Sequence, residues 1–117
     1  MNIGTDVVLH DRFSRSIERN GGRLKKRLFT PEELSSTGAL LDLAVIFSIK
    51  ESISKALGSG FDRRLSWHDI CVTLTENGAE ARLTGAALKT AGGRDVILSV
   101  ARGEHETYTF AALRKRG

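Results

Sequence analysis

The sequence predicts an α+β domain in which an antiparallel sheet packs on one long central helix, and three observations carry that expectation. A helical pattern running from Ala39 to Leu57 ends in Gly58 and Gly60, the length and stop signal of a buried central helix. From Asp69 onward the apolar period changes to two, as strands require. Turn signals at Asn77-Gly78 and Gly103 fold those strands back on one another.

The elements follow in order. Ile3 to Leu9 reads as a strand, and Asp11 is placed to cap a helix from Arg12 to about Arg19, which Asn20-Gly21-Gly22 stops. Thr30-Pro31-Glu32-Glu33 has threonine as N-cap, proline in the first turn and glutamate three residues after the cap. This capping box starts a short helix from Pro31 to about Ser35. Ser35-Ser36-Thr37-Gly38 interrupts before the central helix, where Ile49, Ile53 and Ala56 form a packing stripe. Glu51 and Lys55, four positions apart, look roughly the opposite way. Ile70, Val72 and Leu74 then alternate with Cys71, Thr73 and Thr75, and a partner strand runs from Ala79 to Leu83. Thr84 caps a short helix through Lys89, ended by Ala91-Gly92-Gly93. Val96 to Ala101 and Glu106 to Leu113 make a last hairpin, and Arg114 to Gly117 fray. No repeat or linker divides residues 1–117, so a single domain is expected.

Composition narrows the function. With 40% apolar and 27% charged residues and no apolar run of membrane-spanning length, the chain reads as an ordinary soluble protein, and a cytoplasmic address is the default in the absence of a secretory pattern. Cys71 is the only cysteine, so it reads as a small buried side chain rather than a disulfide or thiolate metal cage. The net charge is +4, and Arg12, Arg15, Arg19, Arg23, Lys25, Lys26 and Arg27 crowd one short window. Arg12, Arg15 and Arg19 form a ridge along one helix face, which attracts polyanions and speeds encounter with them. Three readings stand: a solvated face, a nucleic-acid surface, or a dock for an acidic protein. Neither a helix-turn-helix pattern, nor a zinc-finger spacing, nor interleaved aromatics accompanies the charge, so no nucleic-acid partner is expected.

Two features could carry chemistry. Glu51 and Lys55 are either an exposed helix pair or the outward face of a site. Asp6 lies among Ile3, Val7 and Val8, in a segment that otherwise favours burial, so its carboxylate needs a cation. A lysine or a metal ion would serve. Trp67 reads as a core plug, and His10 and His68 as surface or structural residues, since neither has a partner at metal-ligand spacing.

The ordered set Ile3-Gly4-Thr5-Asp6-Val7-Val8, Arg12-Phe13, Arg27-Leu28-Phe29-Thr30-Pro31-Glu32-Glu33-Leu34, Phe47 followed by Lys50-Glu51-Ser52-x-x-Lys55, and Leu65-Ser66-Trp67-His68-Asp69-Ile70 resembles holo-acyl carrier protein synthase. This is the small single-domain type of 4'-phosphopantetheinyl transferase. The resemblance implies transfer of phosphopantetheine from coenzyme A to a serine of an acyl or peptidyl carrier protein, by a trimer with sites at subunit boundaries. It implies that Asp6 and Glu51 hold Mg2+ with the pyrophosphate and that Lys55 contacts the phosphates, with Glu51 or a metal-bound water as base. Lys50 would face the ribose phosphate of the coenzyme, against the alternative of an exposed helix lysine. Gly58, Ser59 and Gly60 would lie beside the nucleotide. Arg12 and Arg19 would dock the acidic carrier protein.

The chain departs from the family pattern in two places. Where members usually carry Ser-x-Ser-His or Ser-x-Thr-His, this sequence has Ser99-Val100-Ala101-Arg102; Arg102 can bind a phosphate but cannot shuttle a proton near neutral pH. Ile46 stands where many members have an arginine, and the stretch before it is shorter by a few residues. These changes leave a second expectation, a homologue diverted to another reaction or to carrier-protein binding alone.

Overall fold

The computed structural model describes residues 2–58 and 65–116. Strand β1 (Ile3–Leu9) runs directly into helix α1 (His10–Leu28), followed by α2 (Pro31–Ser36), the central α3 (Leu40–Leu57) and a 3-10 turn at Trp67–Asp69. The second half contributes β2 (Ile70–Thr75), β3 (Gly78–Leu83), α4 (Gly85–Ala91), β4 (Asp95–Arg102) and β5 (Glu106–Arg114). The fold is α+β. The strands form two sheets rather than the one expected: β1-β5-β4, antiparallel throughout, and the separate hairpin β2-β3.

Helix α1 corrects the sequence reading. It starts two residues earlier, at His10, with no side-chain cap from Asp11, and it resumes beyond Gly21. Gly21 breaks it with φ 63° and ψ −156°, a backbone state open mainly to glycine. The helix resumes because the residues after the break are good helix formers and Leu28 is drawn into the core. In α2 the expected capping box is present: Thr30 Oγ1 accepts from the Glu33 amide at 3.1 Å, and Glu33 Oε1 accepts from the Thr30 amide at 2.8 Å. The hairpin turn of β2-β3 lies at Glu76 and Asn77, one residue before the position expected.

Alternation along β1 sends Gly4, Asp6 and Val8 toward α3, and their partners Ala111, Thr109 and Thr107 on β5 share that face. Helix α3 supplies Leu43, Ile46, Ile49 and Ile53, each at most 1% exposed, to the core between the sheet and the rest of the chain. The close approach of β1 to α3 depends on Gly4. A Cβ there would stand 2.0 Å from the Ser52 carbonyl oxygen and 2.7 Å from the Ala56 amide nitrogen, so only glycine lets the backbones meet. The opposite face of the sheet carries Ile3, Val7, Leu9, Ile97 and Tyr108, all exposed.

Candidate active site

The site grows from that backbone contact. With β1 pressed on α3, Asp6 reaches Lys55, whose Nζ lies 3.1 Å from Asp6 Oδ1 and 2.9 Å from the Thr5 carbonyl oxygen. Lys55 is half exposed and Asp6 is 15% exposed, so the pair sits at the mouth of the β1-α3 seam. Ser48, two turns before Lys55, donates to Asp6 Oδ2 at 2.9 Å. Glu51, half-buried one turn before Lys55, has its carboxyl pushed above the ordinary range by burial and by the charge of Asp6, with Lys55 pulling it back. The structure thus brings Asp6, Glu51 and Lys55 together.

Two carboxylates that repel one another beside a single lysine leave negative charge uncompensated. Among the described residues no group of three or more His, Cys, Asp or Glu side chains could hold a metal ion, and the acids beside Lys55 are Asp6 and Glu51. Oxygen donors of this kind and number suit a hard divalent cation that completes its coordination with water and phosphate oxygens. An open cavity of about 540 Å³ adjoins Asp6 and Lys55 and continues along Val7, Ser99, Ala101, Tyr108 and Phe110 of the outer sheet face. Ligand space therefore runs from the charged seam onto the uncovered sheet.

Other expected site residues lie elsewhere. Lys50 is neither exposed nor turned to the seam. It is fully buried, with its ammonium 2.6 Å from Glu33 Oε1 and hydrogen-bonded to the carbonyls of Leu28 and Trp67. Burial lowers its pKa while Glu33 holds it up. The physical reason is the partner: Glu33, also fully buried, further accepts from the Thr30 and Val72 amides, and a carboxylate buried without a cation is costly. Arg102 alternates away from Ser99 and Ala101 and pairs at 2.6 Å with Asp42, beside a different cavity, so within one chain it does not meet the acidic pair. Gly58 caps α3, while Ser59 and Gly60 lie outside the described residues.

Arg12, Arg15 and Arg19 stand exposed on α1, opposite the buried Phe13 and Ile17. Arg12 also borders a cavity of about 380 Å³ lined by Val7, Val8, Leu9, Phe13 and Phe47. Trp67 stacks on Phe47, with centroids 5.4 Å apart, and packs against the core as expected. His10 is structural, bonding Thr107 Oγ1 at 2.8 Å. Cys71 is buried near Thr30. Sequence reasoning missed Ser48 and Thr109, whose hydroxyls contact each other at 2.8 Å behind Asp6. One signal was available: Ser48, Ser52 and Lys55, at i, i+4 and i+7, make a polar stripe along one face of the central helix.

Residues 2–111 match the family model described as the 4'-phosphopantetheinyl transferase superfamily. The chain belongs to that superfamily. It is 37% identical over 121 residues to a holo-[acyl-carrier-protein] synthase of Shewanella amazonensis and 35% identical over 118 residues to one of Chlamydia pneumoniae, covering 97% of each and 97% of itself. The crystal structure of the Neisseria meningitidis holo-[acyl-carrier-protein] synthase superposes with a TM-score of 0.84 at 31% identity, over 97% of this chain and 98% of that one. The Helicobacter pylori synthase in complex with coenzyme A shares the fold, with a TM-score of 0.84 at 21% identity over 95% of this chain and 98% of that one. The chain is therefore a phosphopantetheinyl transferase enzyme. Among its described residues no helix is long and apolar enough to cross a membrane.

Proposed function

We propose that this chain transfers the 4'-phosphopantetheine of coenzyme A to a serine of an acyl or peptidyl carrier protein, releasing 3',5'-ADP, in the cytoplasm and with Mg2+ as the metal. The observation that carries the reading is the meeting of Asp6, Glu51 and Lys55 at the β1-α3 seam, with the Glu51 carboxyl pushed up by burial and by the charge of Asp6. Asp6 and Glu51 would hold the ion, and Mg2+ would neutralise charge on the diphosphate. Lys55, half exposed at the mouth of the seam, exchanges part of its ion pair with Asp6 for the phosphate oxygens. The serine proton goes to Glu51 or to a water beside it. Gly58, the C-cap of α3, lies on the nucleotide side of the site.

Arg12 and Arg19 dock the acidic carrier protein, and their exposure on one face of α1 supports this. The uncovered face of Ile3, Val7, Leu9, Ile97 and Tyr108 supports assembly into a homotrimer. Because the 540 Å³ cavity runs from Asp6 onto that same face, the substrate site lies at the subunit boundary. Arg102, turned from its own chain's seam, would then serve the coenzyme only across such a boundary.

The test is incubation with apo carrier protein, coenzyme A and Mg2+, read by mass spectrometry. The expected result is the phosphopantetheine mass increment on the carrier serine. No increment on any carrier protein encoded nearby would overturn the reading.

A further inference from the structure

Behind Asp6 lies a set of hydroxyls that the reaction scheme above does not use. Ser48 Oγ is 2.9 Å from Asp6 Oδ2 and 2.8 Å from Thr109 Oγ1, and Thr109 Oγ1 is 2.6 Å from Ser52 Oγ. All three side chains are buried, Ser48 and Ser52 completely. Each hydroxyl has one proton to give. An ionised Asp6 has none, so Ser48 must donate to it. With that proton committed, the 2.8 Å contact to Thr109 requires Thr109 to donate to Ser48. The 2.6 Å contact then requires Ser52 to donate to Thr109. Thr109 Oγ1 is also 3.0 Å from the Ser48 carbonyl oxygen, and Ser52 Oγ is 3.2 Å from the Thr109 carbonyl oxygen; each of these longer contacts can share its donor's proton without reversing the order. The proton order runs Ser52, Thr109, Ser48, Asp6, each bond polarising the next.

We infer that this relay is a positioning device: Thr109 on β5, acting through Ser48, pins Oδ2 of Asp6 so that Oδ1 stays turned to Lys55 and to the metal ion. The inference rests on the proposed metal site and deepens it. Asp6 lies on β1, an edge strand, and without the relay its side chain would be steered by the half-exposed Lys55 alone. The device also crosses elements, since Ser48 and Ser52 are on α3 while Thr109 faces Asp6 across the β1-β5 register. Sheet and helix are thereby locked at the point where the two carboxylates must converge. Partners that orient a metal ligand from behind typically change metal affinity by about 10- to 100-fold.

The experiment measures Mn2+ binding by calorimetry for wild type, Ser48→Ala, Thr109→Val, Thr109→Ser and the Ser48→Ala/Thr109→Val double variant, with circular dichroism as the fold control. Thr109→Val keeps the shape and removes the hydroxyl; Thr109→Ser keeps the hydroxyl. The expected result is affinity lowered about tenfold by Ser48→Ala and by Thr109→Val, retained by Thr109→Ser, and no further loss in the double variant. In transfer assays the same two variants should need more Mg2+ for half-maximal rate, with KM for the carrier protein unmoved. Should Thr109→Val fail to fold, Ser48→Ala and Thr109→Ser carry the test. Wild-type affinity in a folded Ser48→Ala or Thr109→Val, or losses that multiply in the double variant, would overturn the relay alone. A wild-type protein that binds no Mn2+ would overturn the metal site and the relay together.

Discussion

At Glu51 the needs of chemistry and of stability diverge. Its carboxyl is pushed up, first by burial and then by Asp6, so the folded chain holds its proton to a higher pH than the unfolded chain does. Stability from this group therefore falls as pH rises from the ordinary carboxylate range through the raised value, and the full penalty for ionisation stands above it. Glu51→Gln should melt at a higher temperature than wild type at pH 7.5 in chelator. The difference should vanish as pH drops below the usual glutamate range, a trend that scanning calorimetry would follow. Added Mg2+ should stabilise wild type and leave Glu51→Gln unmoved, while Glu51→Gln and Asp6→Asn both abolish transfer. Lys50 obeys the opposite logic. Replacing it with methionine strands a buried glutamate, and urea denaturation should show a loss of about 3–5 kcal/mol. Nothing local announced that pair, because Lys50 and Glu33 lie on different helices and Glu33 already had a sufficient local explanation as the third residue of a capping box.

At the level of elements, the β1-α3 seam is set by Gly4. Gly4→Ala would drive a methyl into the Ser52 carbonyl and the Ala56 amide, both backbone groups that cannot swing aside. Lowered melting by about 1–3 kcal/mol, together with a fall in kcat as Asp6 parts from Lys55 and Glu51, is the expected outcome. Several local signals were legible: the Thr30-Glu33 box, the glycine stop of α3 and the two hairpins each sit within a few residues of their cause, whereas Asp11 and Thr84 make no side-chain cap. What the sequence hid was non-local. Alternation marks strands but not which sheet they join, so β2-β3 could not be separated from β1-β5-β4. Gly21-Gly22 correctly marked a break, yet resumption of α1 depends on Leu28 finding the core. The seam acids were readable by motif, whereas the serines and threonine behind Asp6 are ordinary residues until the register of β1 on β5 sets them together.

Across the whole molecule, the proposed function gives two surfaces distinct tasks. On the outer sheet face, the proposed homotrimer predicts that Val7→Lys yields monomers by light scattering and lowers transfer, since Val7 is exposed there and borders the cavity beside Asp6. On α1, charge reversal at Arg12 or Arg19 should slow carrier-protein association about tenfold at low ionic strength, with the difference shrinking as added salt shortens the screening length. Stopped-flow measurements across a salt series would read this directly. Neither surface touches the buried Lys50-Glu33 pair, whose arrangement restricts how the chain can change. Apolar residues often substitute for a buried ion pair without loss, but here they would take the side-chain partners from the Thr30 and Val72 amides and the Leu28 carbonyl at once. A library randomised at both positions should return glutamate with lysine almost alone: each single step is a fitness valley, and the familiar hydrophobic escape route is closed by epistasis with the backbone itself.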